Sequence, residues 1–378
     1  MDRSTVKAAV LLGAKSLEIQ SVELSLPLPG ELQIEIRSTT LCGSDLHYYN
    51  HYRNGDIIVK SPLALGHESS GIVKLVGSEA AAEGWKVGDR VALEVGIPCG
   101  NCARCLEGRY NICPTIRFRS SAKSNPHYWG TLQERINHPA KWCHRLPDSI
   151  SYSQAALLEP LSVALHATRR TERNGSLYPG ANVLVIGAGA VGLLVAAVTN
   201  LTGTSKVCIT DIILERVDFA IANGWATKGY VAPPGLTTGL EIATDLKAKL
   251  NMLNGYDVVY DCTGMEVCVQ TGIYAARSGG ALMLIGMGSP VMTLPISAAA
   301  LREVDILGGF RYANTYQLGV ELLASGKLQN VEKLVTHSFR GMEGIQTAFR
   351  TAAQRMDENG QLIVKVEIET GSDSVEVE

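Results

Sequence analysis

Cys99, Cys102, Cys105 and Cys113 fall in one short stretch with the spacing C-x2-C-x2-C-x7-C. Four thiolates this close can surround a zinc ion tetrahedrally and leave no position for water. Such a centre staples a loop and does no chemistry. Ordinary buried cysteines or disulfides are the alternative, and the spacing fits them less well. Upstream, Cys42 and the pair His67-Glu68 make a different set. Three protein ligands of these types leave a fourth position open, the arrangement of a catalytic zinc. Glu159, in Leu158-Glu159-Pro160, is a candidate fourth or intermittent ligand. Asp45 is a candidate acceptor for the other nitrogen of His67, which would fix the tautomer. Taken singly, each of these residues also has an ordinary reading, a small core cysteine or a solvated carboxylate.

A second kind of chemistry is written downstream. Val183-Leu184-Val185-Ile186 runs into Gly187-Ala188-Gly189-Ala190-Val191-Gly192 and then into an apolar helix-length stretch. The first glycine permits a tight turn, the second lets backbone N–H groups approach a pyrophosphate, and the third lets helix pack on strand. A second strand follows and ends at Asp211, close to the ~20-residue offset at which an acidic side chain meets the adenosine ribose. A carboxylate there accepts from ribose hydroxyls and repels a 2′-phosphate, so the expected coenzyme is NAD rather than NADP. Arg216 is a candidate to cover the adenine or ribose side, with a solvated helix arginine as the ordinary reading.

These residues need elements to hold them. Residues 6–40 read as short alternating strands, among them Val6–Leu11 and Glu31–Arg37, and Gly71–Gly77 and Arg90–Glu94 continue the pattern. After about residue 155, strand-like runs alternate with helix-length amphipathic stretches. The strands are Ala181–Ile186, Lys206–Thr210, Tyr256–Tyr260, Ala281–Ile285 and Ile306–Gly309. That alternation predicts an α/β arrangement with a doubly wound parallel sheet. A helix over Tyr316–Ser325 and a closing strand over Leu362–Ile368 are expected toward the C-terminus. Glu369 to Glu378 reads as a frayed acidic tail.

The bulk properties bound the partners. The chain has 378 residues, enough for two domains or three, and 46% are hydrophobic, enough for sizeable cores. The net charge is −3 and the pI about 6.3, with no long basic block, so neither nucleic acid nor an anionic membrane is an expected partner. Met1 to Val10 lacks the pattern of a signal peptide. No apolar run approaches the ~18–20 residues that span a bilayer. An odd cysteine count of nine, four of them in a metal-type cluster, suits a reducing compartment, read as cytoplasmic.

Together these motifs resemble one family. Gly66-His67-Glu68-Ser69-Ser70-Gly71, followed by Gly77, is similar to the zinc signature of the medium-chain dehydrogenases, and the four-cysteine loop lies about thirty residues later, as it does there. The resemblance covers residues 6 to 368. Cys42-Gly43-Ser44-Asp45-Leu46-His47-Tyr48-Tyr49 and Phe310-Arg311-Tyr312-Ala313-Asn314-Thr315-Tyr316 resemble its sorbitol (polyol) dehydrogenase branch. The resemblance implies a GroES-like β-rich catalytic domain over 1–160, a Rossmann domain over 161–310, and residues 311–378 returning to the first. It implies two zincs per chain, one catalytic on Cys42, His67, Glu68 and Glu159, and one structural on the four-cysteine loop. It implies NAD held by Gly187, Gly189, Val191, Gly192, Asp211, Arg216, Ile285, Gly286, Met287, Gly309, Phe310 and Arg311. Tyr48, Glu159, Arg311 and Tyr312 would meet the sugar alcohol, and Ser44 and His47 would relay the proton by way of a ribose hydroxyl. Glu68 and Glu159 complete the implied catalytic set.

The expected reaction is NAD-dependent oxidation of a secondary hydroxyl to a ketose, with sorbitol the first choice. L-arabinitol, xylitol and galactitol are the alternatives, and a catalytically inactive binding protein on the same fold is the rival of a different class. A homotetramer is implied. Ala190 stands in place of a frequent proline in the glycine loop, which leaves the turn intact. Ala313 and Tyr316 replace the usual Cys and Trp and bear on substrate preference.

Overall fold

The computed structural model describes residues 4–371. The first three residues of the segment read for a leader, and all but the start of the expected acidic tail, lie outside this range. The start of that tail is not frayed, because Glu369 ends the strand Lys365–Glu369. The chain divides into two compact units. One takes the chain up to Glu159, Tyr316–Ala324 and the chain from Glu332 on; the other takes Pro160–Thr315 and Ser325–Val331.

The first unit is built on the strand Glu31–Thr40. Its Leu32, Ile34 and Ile36 alternate with more polar neighbours and are fully buried, the period-two pattern of a strand with one face in the core. Along its length it pairs antiparallel with Glu68–Val76, at one end with Arg135–Pro139 and at the other with Lys365–Glu369. The sheet continues through Arg90–Leu93 to Cys143–Arg145 on one side and through Val335–Arg340 on the other. A smaller sheet of Ser16–Leu24, Ser4–Gly13 and Leu63–Ala64 lies apart from it in hydrogen bonding. One apolar cluster, including Leu11, Tyr48, Leu65, Phe349 and Ile368, gathers side chains from both ends of the sequence.

The second unit is a six-stranded sheet, parallel throughout, in the order Lys228–Tyr230, Lys206–Thr210, Asn182–Ile186, Tyr256–Asp261, Ala276–Leu284, Asp305–Gly308. The chain runs outward from Asn182–Ile186 in one direction, then crosses to its other side. Ligands of open α/β sheets collect at that reversal, beyond the carboxyl ends of the strands. Ala190–Leu201 is apolar around its circumference, and Gly192 to Thr199 are all buried, as such a helix must be. The strand expected from Ala281 starts earlier, at Ala276. Gly279 at φ +70° and Gly280, whose missing Cβ admits the Tyr256 carbonyl, carry an irregularity that a run of apolar residues does not reveal. Among the described residues, no helix is long and apolar enough to cross a membrane.

Candidate metal centres and coenzyme site

Cys42 caps the helix Gly43–His51 from an extended backbone conformation, and Asp45 lies in that helix's first turn. The Asp45 carboxylate does two jobs. Its Oδ2 accepts from the Cys42 N–H at 3.2 Å, which satisfies a helix-start donor. Its Oδ1 faces His67 Nδ1 at 3.3 Å and accepts from Gly66 N–H (3.1 Å) and Ser120 Oγ (2.6 Å). Asp45 is fully buried. Burial alone would raise its carboxyl, but the His67 charge and these donors hold it below the usual range. The same pairing works on the imidazole: burial would lower it, and Asp45 and Cys42 hold it well above its ordinary value.

With Nδ1 turned to Asp45, Nε2 is the nitrogen left for a metal, and Ser44 Oγ lies 3.5 Å from it. His67 precedes the strand Glu68–Val76, so it escapes the alternation that would send neighbours to opposite faces. Cys42, His67 and Glu68 consequently converge, with ligand atoms all within 4.8 Å of one another. A thiolate, an imidazole and a carboxylate at that separation fit one zinc ion and leave a position open. Glu159 is not part of this trio. It is buried in the first turn of the helix Leu158–Arg173, and its charge acts on Lys365.

Two residues at this centre escaped the sequence reading. Lys365 pairs with both oxygens of Glu68, with Nζ 2.5 Å from Oε1, and donates to the Leu41 carbonyl at 3.0 Å. Thr40 Oγ1 donates to Glu68 Oε2. Burial would lower the Lys365 ammonium; Glu68, Cys42 and Glu159 hold it above its ordinary value. Glu68 is thus fixed by a buried cation. The available signal was a lone lysine inside the apolar run Leu362-Ile363-Val364-Lys365-Val366. Asp45→Asn keeps the cap but removes the negative charge from His67, and it should lower zinc affinity or turnover about 10- to 100-fold. Metal content and initial rates check this, and unchanged values would remove Asp45 from the metal centre.

The four cysteines form a second group whose ligand atoms lie within 4.8 Å of one another. Cys102 to Cys105 is 3.5 Å between sulfurs, Cys113 to Cys99 is 3.6 Å, and Cys99 to Cys105 is 3.9 Å. A tetrahedron with Zn–S near 2.3 Å has an edge of about 3.8 Å, whereas a disulfide needs about 2.05 Å. The donor set fits a structural zinc. Backbone N–H groups of Asn101 and Cys102 hold the Cys99 thiol down to about 6. The loop is anchored by Tyr110, whose hydroxyl donates to the buried Glu94 at 2.6 Å, and Glu94 meets His144 at 2.8 Å.

In the second unit, Gly187 adopts φ +97°, and a Cβ on Gly192 would lie 1.8 Å from the Gly187 carbonyl oxygen. Gly189 differs: nothing lies within 4 Å of where its Cβ would be. It also caps the helix Ala190–Leu201, so the open space faces a helix N-terminus, an anion-binding position. Asp211 accepts from Ala188 N–H (2.7 Å) and Ile213 N–H (3.0 Å), which ties the second strand's end to the glycine loop. Arg216 lies on the following helix, Leu214–Ala222, and its buried Nε has no hydrogen-bond partner among the described residues. Val191 is half-buried in the first turn of Ala190–Leu201. The N–H groups of Ile285 and Gly286 both donate to the Asp261 carbonyl, and Met287 beyond them is exposed. Gly309 donates to Leu284 O at 2.9 Å. Arg311 holds a left-handed φ of +49° with its guanidinium 4.8 Å from the Phe310 ring, and Tyr312 is buried.

In the first unit, Tyr48 is buried and its hydroxyl accepts from Ala122 N–H at 3.3 Å, while His47 is exposed.

Comparisons with known proteins agree on where this chain belongs. Residues 28–148 match the alcohol dehydrogenase GroES-like domain, and residues 190–325 match the zinc-binding dehydrogenase family. The chain is 39% identical to a sorbitol dehydrogenase of Arabidopsis thaliana over 92% of both chains. It is 37% identical to an L-idonate 5-dehydrogenase of Vitis vinifera over 92% of this chain and 91% of that one. Its fold is similar to that of an Escherichia coli oxidoreductase/dehydrogenase of unknown specificity, with a TM-score of 0.85 at 29% identity, covering 98% of this chain and all of that one. Two metal-type clusters, a parallel sheet in the dinucleotide-binding order and these likenesses lead to one assignment: the chain belongs to the zinc-containing medium-chain dehydrogenases, in their sorbitol dehydrogenase branch.

Proposed function

We propose that this protein is a zinc- and NAD-dependent polyol dehydrogenase, oxidising a secondary hydroxyl of a sugar alcohol, sorbitol first, to the ketose. The observation that carries it is the convergence of Cys42, His67 and Glu68 on one point, with Lys365 and Asp45 fixing the carboxylate and the imidazole. In this reading the first unit is the catalytic domain and the second holds the coenzyme. Zinc, when bound, supplies Lewis-acid stabilisation of the substrate alkoxide, and the coenzyme takes the hydride. The chain's own residues bind, orient and move the proton. Ser44, 3.5 Å from His67 Nε2, would accept the hydroxyl proton while giving up its own to a ribose hydroxyl of the bound coenzyme, and His47 at the surface would pass that proton to solvent. Glu159 would stand at or near the metal; its charge acts on Lys365, the partner of Glu68. Tyr48, Arg311 and Tyr312 select polyols, because a site built to hydrogen-bond a hydroxyl rejects analogues that lack one.

Names borne by similar proteins, sorbitol dehydrogenase and L-idonate 5-dehydrogenase, support a polyhydroxylated substrate. Initial rates with sorbitol, xylitol, L-arabinitol, galactitol and ethanol test this. The expected result is turnover of at least one polyol well above ethanol; turnover of ethanol alone would overturn it. A chain with neither activity nor a metal at Cys42 and His67 would be the inactive binding protein.

The choice of NAD rests on Asp211. Its carboxylate accepts from the Ala188 N–H of the glycine loop, and the exposed Ile212 beside it offers no cation for a 2′-phosphate. Wild-type kcat/KM should favour NAD over NADP by about a hundredfold, since specificity here combines attraction with like-charge repulsion. Asp211→Ser with Ile212→Arg should move the preference toward NADP. Equal efficiency with both coenzymes in the wild type would remove Asp211 as the ribose ligand.

The same reading includes self-association, as a homotetramer. It is supported by the edge strand Asp305–Gly308, where Ile306 is exposed, as are Leu301 and Val291 nearby in sequence. A cytoplasmic setting is supported by nine cysteines that are all free.

A further inference from the structure

We propose that His47 and His51 form a third metal site, for a borderline divalent cation such as zinc, nickel or copper. They lie four residues apart on the helix Gly43–His51, so they share one face. This is the spacing at which a helical histidine pair grips zinc. Their ring centroids are 6.1 Å apart with the planes tilted by 34°, a separation that a small rotamer change converts to two nitrogens on one ion. Both rings are exposed, and neither has a hydrogen-bond or ion-pair partner among the described residues. Their lone pairs are therefore uncommitted and reachable from solvent.

The helix beneath them is held at both ends. Asp45 ties its start to Cys42 and His67. Tyr52, at φ +53°, closes its end by donating to the Tyr48 carbonyl at 2.8 Å. His51 lies in the last turn, where the helix dipole favours a cation. Two imidazoles and solvent make a weaker, exchangeable site than the two clusters already described, and nickel and copper bind such nitrogen ligands at least as well as competing first-row ions.

The consequence for turnover rests on the relay assigned to His47 above. A metal on the His47 lone pair leaves it unable to accept a proton, so free metal should slow the reaction without displacing either zinc.

The test uses untagged, zinc-loaded protein, wild type and His51→Gln, with Ni2+ as the probe. Calorimetry or equilibrium dialysis counts the nickel bound, initial rates follow the reaction, and zinc content is measured at the end. The wild type should take up one Ni2+ per chain beyond its zinc, and its rate should fall in step. His51→Gln should keep the basal rate, and its affinity for nickel should drop at least about tenfold, as loss of a ligand or its support does at metal sites. Equal uptake by both proteins, no uptake by the wild type, or inhibition that tracks zinc loss would overturn the proposal. Uptake abolished by His51→Gln with a wild-type rate indifferent to nickel would uphold the site and overturn the relay role of His47.

Discussion

His67→Ala should give a folded protein that binds NADH and turns over sugar alcohol at least about a thousandfold more slowly, because metal polarisation of the alkoxide is worth several kcal/mol and each ~1.4 kcal/mol is tenfold. The zinc count should drop by one per chain. The fold should survive because Asp45, although buried, keeps the Cys42, Gly66 and Ser120 donors when the imidazole is gone. Glu68 likewise keeps Lys365 and Thr40. The damage is confined to the ligand set. Zinc analysis, NADH binding and initial rates together decide it. Retention of both zincs with near-normal kcat would remove His67 from the catalytic centre.

Cys99→Ser should have the opposite profile, a stability defect with the catalytic metal still in place. Cys99 is exposed, and serine nearly matches its size, so the change leaves core packing alone and tests the metal directly. Structural zinc binding contributes to folding free energy. Losing about 4 kcal/mol of it should lower Tm by roughly 10 °C in domains of this size. One zinc per chain should be lost, and a chelator should destabilise the wild type toward the variant. The anchors Tyr110–Glu94–His144 remain, so the loop loosens while the strands Arg90–Leu93 and Cys143–Arg145 stay paired. An unchanged Tm with two zincs bound would rule out the four-cysteine loop as a staple.

The two metal sets and the glycine loop were legible because each is local, or nearly so, and each residue type has narrow chemical uses. Cys99 to Cys113 and Gly187 to Gly192 announce themselves by spacing. The trio of Cys42, His67 and Glu68 needed a likeness to join it, since nothing in the spacing says that a helix cap and a strand start meet. Lys365 was not legible at all. Its partner lies 297 positions away, and only the antiparallel pairing of Lys365–Glu369 with Glu31–Thr40 brings it there. Thr40 was missed for the same reason, as a hydroxyl in a β-rich run has no distinctive use. Of the elements, Ala276–Leu284 was misjudged at its start because its first residues, Arg277 to Gly280, carry no apolar alternation; their pairing is set by the neighbouring strand. The second unit was read more completely because repeated strand–helix alternation is a local signal.

The late arrival of Lys365 has a consequence for how the protein is made on the ribosome. Glu68 emerges early, and the cation that neutralises it is translated 297 residues later. At about 5–20 residues per second, that interval is roughly 15 to 60 s. During it the Ser38–Thr40 end of the strand Glu31–Thr40 lacks its pairing with Lys365–Glu369, and Glu68 lacks its Lys365 partner. The parallel sheet, by contrast, is complete once residue 308 has left the exit tunnel. The nascent chain therefore assembles its middle before its beginning, and a stop codon just upstream of Leu362 leaves an intact nucleotide fold joined to a metal centre that never closes.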